Sequence, residues 1–115
     1  MTRRTYRVYA TRVREFDEAF KEFIEILCRS DIVLKAFLVG SRARGDHLPY
    51  SDYDIVVVVP SGSNKLLTIE QLRRLRKKIF PLDLIVLHRD ELEDPIYSEM
   101  LRNTIKLCDK EQETQ

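Results

Sequence analysis

From about residue 12 to residue 28, apolar side chains recur at Val13, Phe16, Ala19, Phe20, Phe23, Ile24, Leu27 and Cys28. Steps of three and four place them along one stripe of an amphipathic helix. Ser30-Asp31 ends that pattern. Residues 32–39 are β-branched and apolar apart from Lys35 and Ala36, and stop at Gly40, which reads as a mostly buried strand. Residues 41–46 are small and polar, with Ser41 a good N-cap for a short helix. Residues 46–51 contain Pro49 and form a loop. Tyr53–Val59 reads as a second strand, its four consecutive valines implying burial on both faces at the far end. After a turn over 60–64, Thr68 and Gln71 have capping-box spacing, which predicts a helix from there to about Ile79. Pro81 stops it, and Leu82–His88 reads as a third strand. Asp94-Pro95 is an N-cap followed by proline at the first helical position, opening a final helix through Ile96, Tyr97, Met100 and Leu101. Residues 104–108 fit either a continuation of that helix or a short edge strand.

The alternation of helices and strands predicts an α/β domain (α+β by some schemes), with a small central sheet flanked by helices. At 115 residues a single domain over 1–115 is expected, with its core at about 12–108 and a polar, frayed tail over 109–115. No repeat or low-complexity tract interrupts it.

Composition narrows the functional classes. Apolar residues make up 43% and charged residues 34%, a globular balance. The formal net charge is +1, so no global field calls for a nucleic-acid or membrane partner. The longest apolar run, residues 55–59, is far too short to span a bilayer, and the first residues are too polar for a secretory signal. Cys28 and Cys108 stand far apart with no paired spacing, which fits a reducing cytoplasm better than a disulfide framework. A cytoplasmic protein is the expectation.

Three features carry chemistry. The first is Gly40-Ser41 at a strand-to-helix junction. Glycine lets the backbone approach a ligand closely, the free amides of the following helix face an anion, and the Ser41 hydroxyl adds a donor. The second is Asp52-Tyr53-Asp54 at the start of the second strand. A strand period of two puts both carboxylates on one face and Tyr53 on the other. Two unit charges about 4 Å apart repel by roughly 4 kcal/mol at an effective dielectric near 20. A divalent cation removes that cost, and carboxylate oxygens that leave positions open for phosphates suit magnesium. The third is Asp83, the one polar residue between Leu82 and His88 in the third strand. If that strand neighbours the second, Asp83 joins the pair. A third carboxylate beside two metal ions has the position of a general base for an attacking hydroxyl, and the ions would clamp the attacking and leaving oxygens of a displacement at phosphorus. Taken singly, each feature has a plain alternative: a helix cap, a solvated turn, a tolerated polar residue. Their joint occurrence in this order argues for a site.

The stretch from Gly40 to Asp54, Gly-Ser-Arg-Ala-Arg-Gly-Asp-His-Leu-Pro-Tyr-Ser-Asp-Tyr-Asp, resembles the signature of the DNA-polymerase-β-like nucleotidyltransferase superfamily, namely Gly-Ser, ten residues, then Asp-x-Asp. Its wording is most similar to the minimal nucleotidyltransferases of prokaryotes, and the resemblance covers about residues 33–87 and, loosely, the final helix. It implies a palm-like mixed sheet and nucleotidyl transfer, with AMP from ATP as the expected donor group. It makes Asp52 and Asp54 metal ligands, and Asp83 a third ligand and base. Gly40 and Ser41 become holders of the triphosphate, with Arg42 and Arg44 either helping with phosphate charge or lying solvated. The implied cofactor is magnesium, as two ions. Minimal members of the family commonly pair with a helical protein of the HEPN type, many pairs forming toxin–antitoxin systems in which a tyrosine of the toxin is adenylylated. That partner, or a second copy of the chain as a homo-oligomer, would complete the site.

Other residues read more plainly. The cations among 73–78 form a solvated helix face, with an anionic partner as the alternative. Arg3, Arg4, Arg7, Arg12 and Arg14 raise the same question. His47 and His88 are ordinary polar residues, since no third ligand has zinc-like spacing. Tyr53 packs; Tyr50 either packs or stacks on a base. Transfer to a small molecule or an RNA end, and a non-catalytic toxin-binding module, are the rival functions.

Overall fold

The computed structural model describes residues 3–111, with side chains described from residue 12 onward. The chain runs α1 (Arg3–Arg29), β1 (Lys35–Val39), α2 (Gly40–Arg44), β2 (Tyr53–Val59), α3 (Lys65–Arg73), β3 (Leu82–His88), a 3-10 turn (Arg89–Glu93), α4 (Pro95–Met100) and β4 (Ile105–Asp109). The sheet order is β3-β2-β1-β4. β1 runs antiparallel to both β2 and β4, and β2 runs parallel to β3. This is the small central sheet flanked by helices that the pattern predicts, and it is mixed, as the resemblance implies.

Side-chain alternation divides the core in two. Tyr53, Ile55, Val57 and Val59 of β2, with Leu84 and Val86 of β3, face one side and pack with Ala19, Phe23 and Leu27 of α1 and Leu72 of α3. Val56 and Leu87 face the other side, with Val39, under Leu92, Tyr97 and Leu101. Residues 56–59 have no solvent exposure, so the four valines are covered on both faces. Each such side chain contributes about 1.5–3 kcal/mol on burial.

Several boundaries differ from the sequence reading. The apolar stripe predicts α1 from about residue 12, but the helix starts at Arg3. The strand expected over 32–39 is regular only from Lys35. Ser41 is not the cap of α2: Val39 holds that position without a side-chain bond, and Ser41 lies inside the helix. Asn64, not Thr68, caps α3, accepting from the Leu67 amide at 3.1 Å. The Thr68 hydroxyl instead donates back to the Asn64 carbonyl at 2.7 Å. The helix stops at Arg73, six residues short of Ile79. Arg76 donates to the Phe80 carbonyl at 2.8 Å, and Phe80, only 1% exposed, is buried in the core. Burying that ring requires the chain to leave the helix early. The cations of 73–78 therefore ride mostly on an irregular segment and not on a helix face. Asp94 caps α4 through the Ile96 amide, as expected.

Residues 105–109 form the edge strand β4, which settles the choice left open there. The tail is anchored further than expected: Asp109 belongs to β4, the Lys110 amide donates to the Leu34 carbonyl at 2.9 Å, and Glu111 pairs with Arg89 at 2.7 Å. Residues 112–115 lie outside the described residues, as do the side chains of Arg3, Arg4 and Arg7.

The cysteine reading is corrected outright. Cys28, at the end of α1, and Cys108, in β4, form a disulfide across 80 residues, with Cα atoms 6.1 Å apart. Nothing local in the sequence marks the pair, because the contact depends on α1 lying back along the sheet. The cysteines therefore give no support to a reducing compartment.

Glu91 ties the far end of the sheet together. Its carboxylate meets Lys65 of α3 at 2.6 Å and accepts from the His88 amide at 2.9 Å. The Lys65 bond first, and the His88 amide second, hold its carboxyl below the ordinary glutamate range. A depressed folded value adds stability above the unfolded pKa, and that stability is lost as pH falls through the folded one. Glu91→Gln is expected to lower the thermal midpoint at pH 7 by a few degrees. The difference should close below the ordinary glutamate range, as melts across pH 2–7 would reveal; a gap constant with pH would contradict this origin.

Candidate functional site

β1 delivers the chain to Gly40, and the antiparallel pairing of β1 with β2 sets Val39 opposite Asp54. Gly40 has φ +73, in the left-handed region that favours glycine. A Cβ added there would stand 2.4 Å from Asp54 Oδ2 and 3.3 Å from its Cγ. The glycine turn and the Asp54 carboxylate are thus in direct contact. α2 lasts five residues and closes on Gly45, whose amide donates to the Ser41 carbonyl at 2.9 Å.

On the other side of Asp54, the parallel register of β2 and β3 pairs it with Asp83. Adjacent strands lie about 4.8 Å apart, so paired side chains on one face are neighbours. Both belong to the face carrying Val56 and Leu87, opposite Leu82 and Leu84, which pack toward α1. Asp52, two residues earlier, lies just before β2 and acts on Asp54 through its charge. Asp54 is half-buried, whereas Asp52 and Asp83 are exposed. Burial first, then the negative charges of Asp83 and Asp52, push the Asp54 carboxyl above the ordinary aspartate range, with Arg44 opposing them. Asp54 therefore feels the charge of both other carboxylates.

Among the described residues no group of three or more His, Cys, Asp or Glu side chains is arranged to hold a metal ion by itself. Magnesium takes one or two protein carboxylates and completes its shell with water and substrate phosphates. The donor set fits such an ion: hard oxygens, mutual repulsion centred on Asp54, and a glycine cradle that a side chain would fill.

The flanking arginines separate. Arg44 is exposed and pairs with Asp46 at 3.2 Å, near enough to act electrostatically on Asp54. Arg42 is committed elsewhere. Its Nε donates to the Ser51 carbonyl and its Nη2 to the Pro49 carbonyl, each at 3.0 Å. Its guanidinium lies 3.6 Å from the centre of the Tyr53 ring. Arg42 is thus not a solvated arginine, and the donors that would meet a phosphate are taken up by a clasp on the loop, because Arg42 leaves α2 toward the α1 side of the sheet. Tyr53 packs, as expected, stacked on Phe20 at 4.6 Å, and its hydroxyl donates to Asp17. Tyr50 meets Phe16 edge-on at 6.0 Å. Asp17 was missed by sequence reasoning: it lies on the exposed flank of α1, and only the fold brings it to Tyr53.

Residues 20–107 match the family described as the nucleotidyltransferase domain. The chain belongs to that family. No curated protein matches this nucleotidyltransferase domain. Its fold is similar to a crystal structure, at 1.40 Å resolution, of a candidate nucleotidyltransferase from Sulfolobus solfataricus. The TM-score is 0.64 at 22% identity, over 93% of this chain and 92% of that one. Among the described residues of the nucleotidyltransferase domain, no helix is long and apolar enough to cross a membrane.

Gly40→Ala tests the contact between turn and carboxylate. The added methyl must displace the Asp54 carboxylate, and the left-handed backbone costs about 1–2 kcal/mol for a residue with a Cβ. A lower melting temperature and at least a tenfold loss of divalent-cation affinity are expected, read by calorimetric titration with Mn2+. Unchanged affinity in the folded variant would contradict the geometry.

Proposed function

We propose that this chain transfers a nucleoside monophosphate, AMP from ATP, to an acceptor hydroxyl, with Asp52, Asp54 and Asp83 as the acidic groups of the site. The observation that carries the reading is the contact of Gly40 with Asp54 while Asp54 pairs in register with Asp83. A pure scaffold gains nothing from that concentration of like charge.

In this reading Asp52 and Asp54 would hold magnesium, as two ions, with Asp83 as the third acidic ligand. When bound, the metal neutralises phosphate charge and the charge developing on the leaving pyrophosphate. The Gly40 and Ser41 turn receives the triphosphate, and Arg44 adds positive charge beside it. The acceptor oxygen forms a bond to the α-phosphorus, the bond from that phosphorus to the β-bridging oxygen breaks, and pyrophosphate departs. The acceptor proton passes to an Asp83 carboxylate oxygen.

The finer reading is that the acceptor is a tyrosine of a HEPN-type helical toxin and that the chain serves as its antitoxin in the cytoplasm. It is supported by the likeness of the segment Gly40 to Asp54 to the minimal nucleotidyltransferases. A second acceptor class, an RNA end, draws on Arg73, Arg74, Lys77 and Lys78. These four are exposed and make no side-chain hydrogen bond or ion pair among the described residues. The deciding experiment incubates the protein with magnesium, each nucleoside triphosphate in turn, and either a HEPN-type helical protein or a short RNA. Intact masses and pyrophosphate release are then followed. A gain of one adenylate unit on the helical protein supports the finer reading, and a gain on RNA the second. No pyrophosphate release and no mass gain with any of the nucleotides and either acceptor would overturn both.

A further inference from the structure

Asp52 precedes the first residue of β2, so the sheet does not fix it directly. No hydrogen bond or ion pair reaches its side chain among the described residues. Its position is inherited from the loop that enters it. That loop is tied internally: the Ser51 amide donates to the Leu48 carbonyl, and the Leu48 amide to the Ser51 hydroxyl, each at 2.9 Å. It is also tied from outside by Arg42, whose two donors take the Pro49 and Ser51 carbonyls. The Arg42 side chain is only 7% exposed, with Nη1 4.0 Å from Asp17. Its plane rests on Tyr53, the residue between the two aspartates, and Tyr53 is in turn held by Asp17 of α1.

We propose that Arg42, anchored by Tyr53 and Asp17, is a positioning residue that fixes the backbone entering Asp52, so that Asp52 and Asp54 stand ready for a divalent cation. The guanidinium is suited to this because its rigid fork holds two carbonyls at once while its flat face stacks on an aromatic ring. An ammonium group matches neither property. The arrangement also explains why an arginine two residues after Gly40 turns away from the phosphate side: its donors are consumed by the loop. The proposal rests on the reading of Asp52 and Asp54 as cation ligands.

The test compares the wild-type chain with Arg42→Lys. Mn2+ affinity is measured by paramagnetic resonance of the free ion, and amide exchange is followed along residues 48–54. Groups that orient metal ligands typically change affinity by about 10–100-fold when altered. Arg42→Lys is expected to weaken Mn2+ binding by about tenfold and to speed exchange over 50–52, with exchange in β2 beyond Ile55 unchanged. A folded Arg42→Lys that keeps wild-type Mn2+ affinity overturns the proposal, as does exchange that rises uniformly through the sheet. Should Arg42→Lys not fold, Asp17→Asn serves, at the half-exposed end of the same network. A smaller loss of affinity in the same direction is expected there, and unchanged affinity overturns the proposal. A wild-type chain that ignores Mn2+ removes the ligand reading itself, an outcome distinct from a wild type that binds and a variant that binds equally well.

Discussion

Asp54→Asn is expected to lower nucleotidyl transfer by at least about a thousandfold, the upper end of the loss caused by removing a single charge-stabilising group. That corresponds to about 4 kcal/mol of transition-state stabilisation. Asp54 is the hub: it touches the Gly40 turn, pairs in register with Asp83 and feels Asp52. The same substitution should leave the metal-free fold as stable as before, or more so. The Asp54 carboxyl is pushed up in the folded chain, first by burial and then by its acidic neighbours. The folded state therefore binds that proton more firmly than the unfolded state. Stability falls as pH rises from the ordinary aspartate range through the raised folded value, and the cost is complete above that value. Asparagine removes that cost. Magnesium should then raise the melting temperature of the wild type and not of the variant, since a ligand stabilises in proportion to RT ln(1 + [L]/Kd). Melts with and without magnesium, alongside pyrophosphate release, check both halves. A variant that transfers at the wild-type rate would remove Asp54 from the chemistry.

Replacing Cys28 and Cys108 together by serine should have the largest effect on stability. The bond closes a loop over a sequence separation of 80. Restricting the unfolded chain over such a loop is worth about 4.5 kcal/mol in the chain-entropy account. For a domain of this size that is roughly 15–25 °C in melting temperature. The loss should be matched by reducing the native protein, and the reductant should not affect the double variant. A melting temperature unchanged by either treatment would show that helix and edge strand are held by packing alone. The crosslink joins the end of α1 to β4, on the flank of the sheet, whereas the acidic cluster lies on the opposite face over β2 and β3. Transfer activity at low temperature should therefore survive reduction.

The features legible in the sequence were those that short-range physics decides. β2 and β3 are bounded as expected, since alternating or continuous apolar runs between turn residues leave little choice. The Asp94-Pro95 start of α4 is a local cap and was legible for the same reason. The face shared by Asp54 and Asp83 came from strand period plus the one assumption that β3 lies beside β2. The hidden features depended on tertiary contacts. Asn64 and Thr68 are both acceptable caps, and the early exit from α3 is set by burial of Phe80. Whether residues 104–108 form helix or strand depended on a free edge at β1. The disulfide and the role of Arg42 were invisible because each partner is brought in by α1 folding across the sheet.

The most direct test of the acidic site is diffraction from crystals soaked in Mn2+ and a non-hydrolysable nucleoside triphosphate, recorded at the manganese absorption edge. Anomalous density bridging Asp52 and Asp54 to the triphosphate, with Asp83 beside it and the phosphates over Gly40 and Ser41, is the predicted result. Manganese bound to phosphate at some other face, with these three carboxylates left in water, would contradict the account.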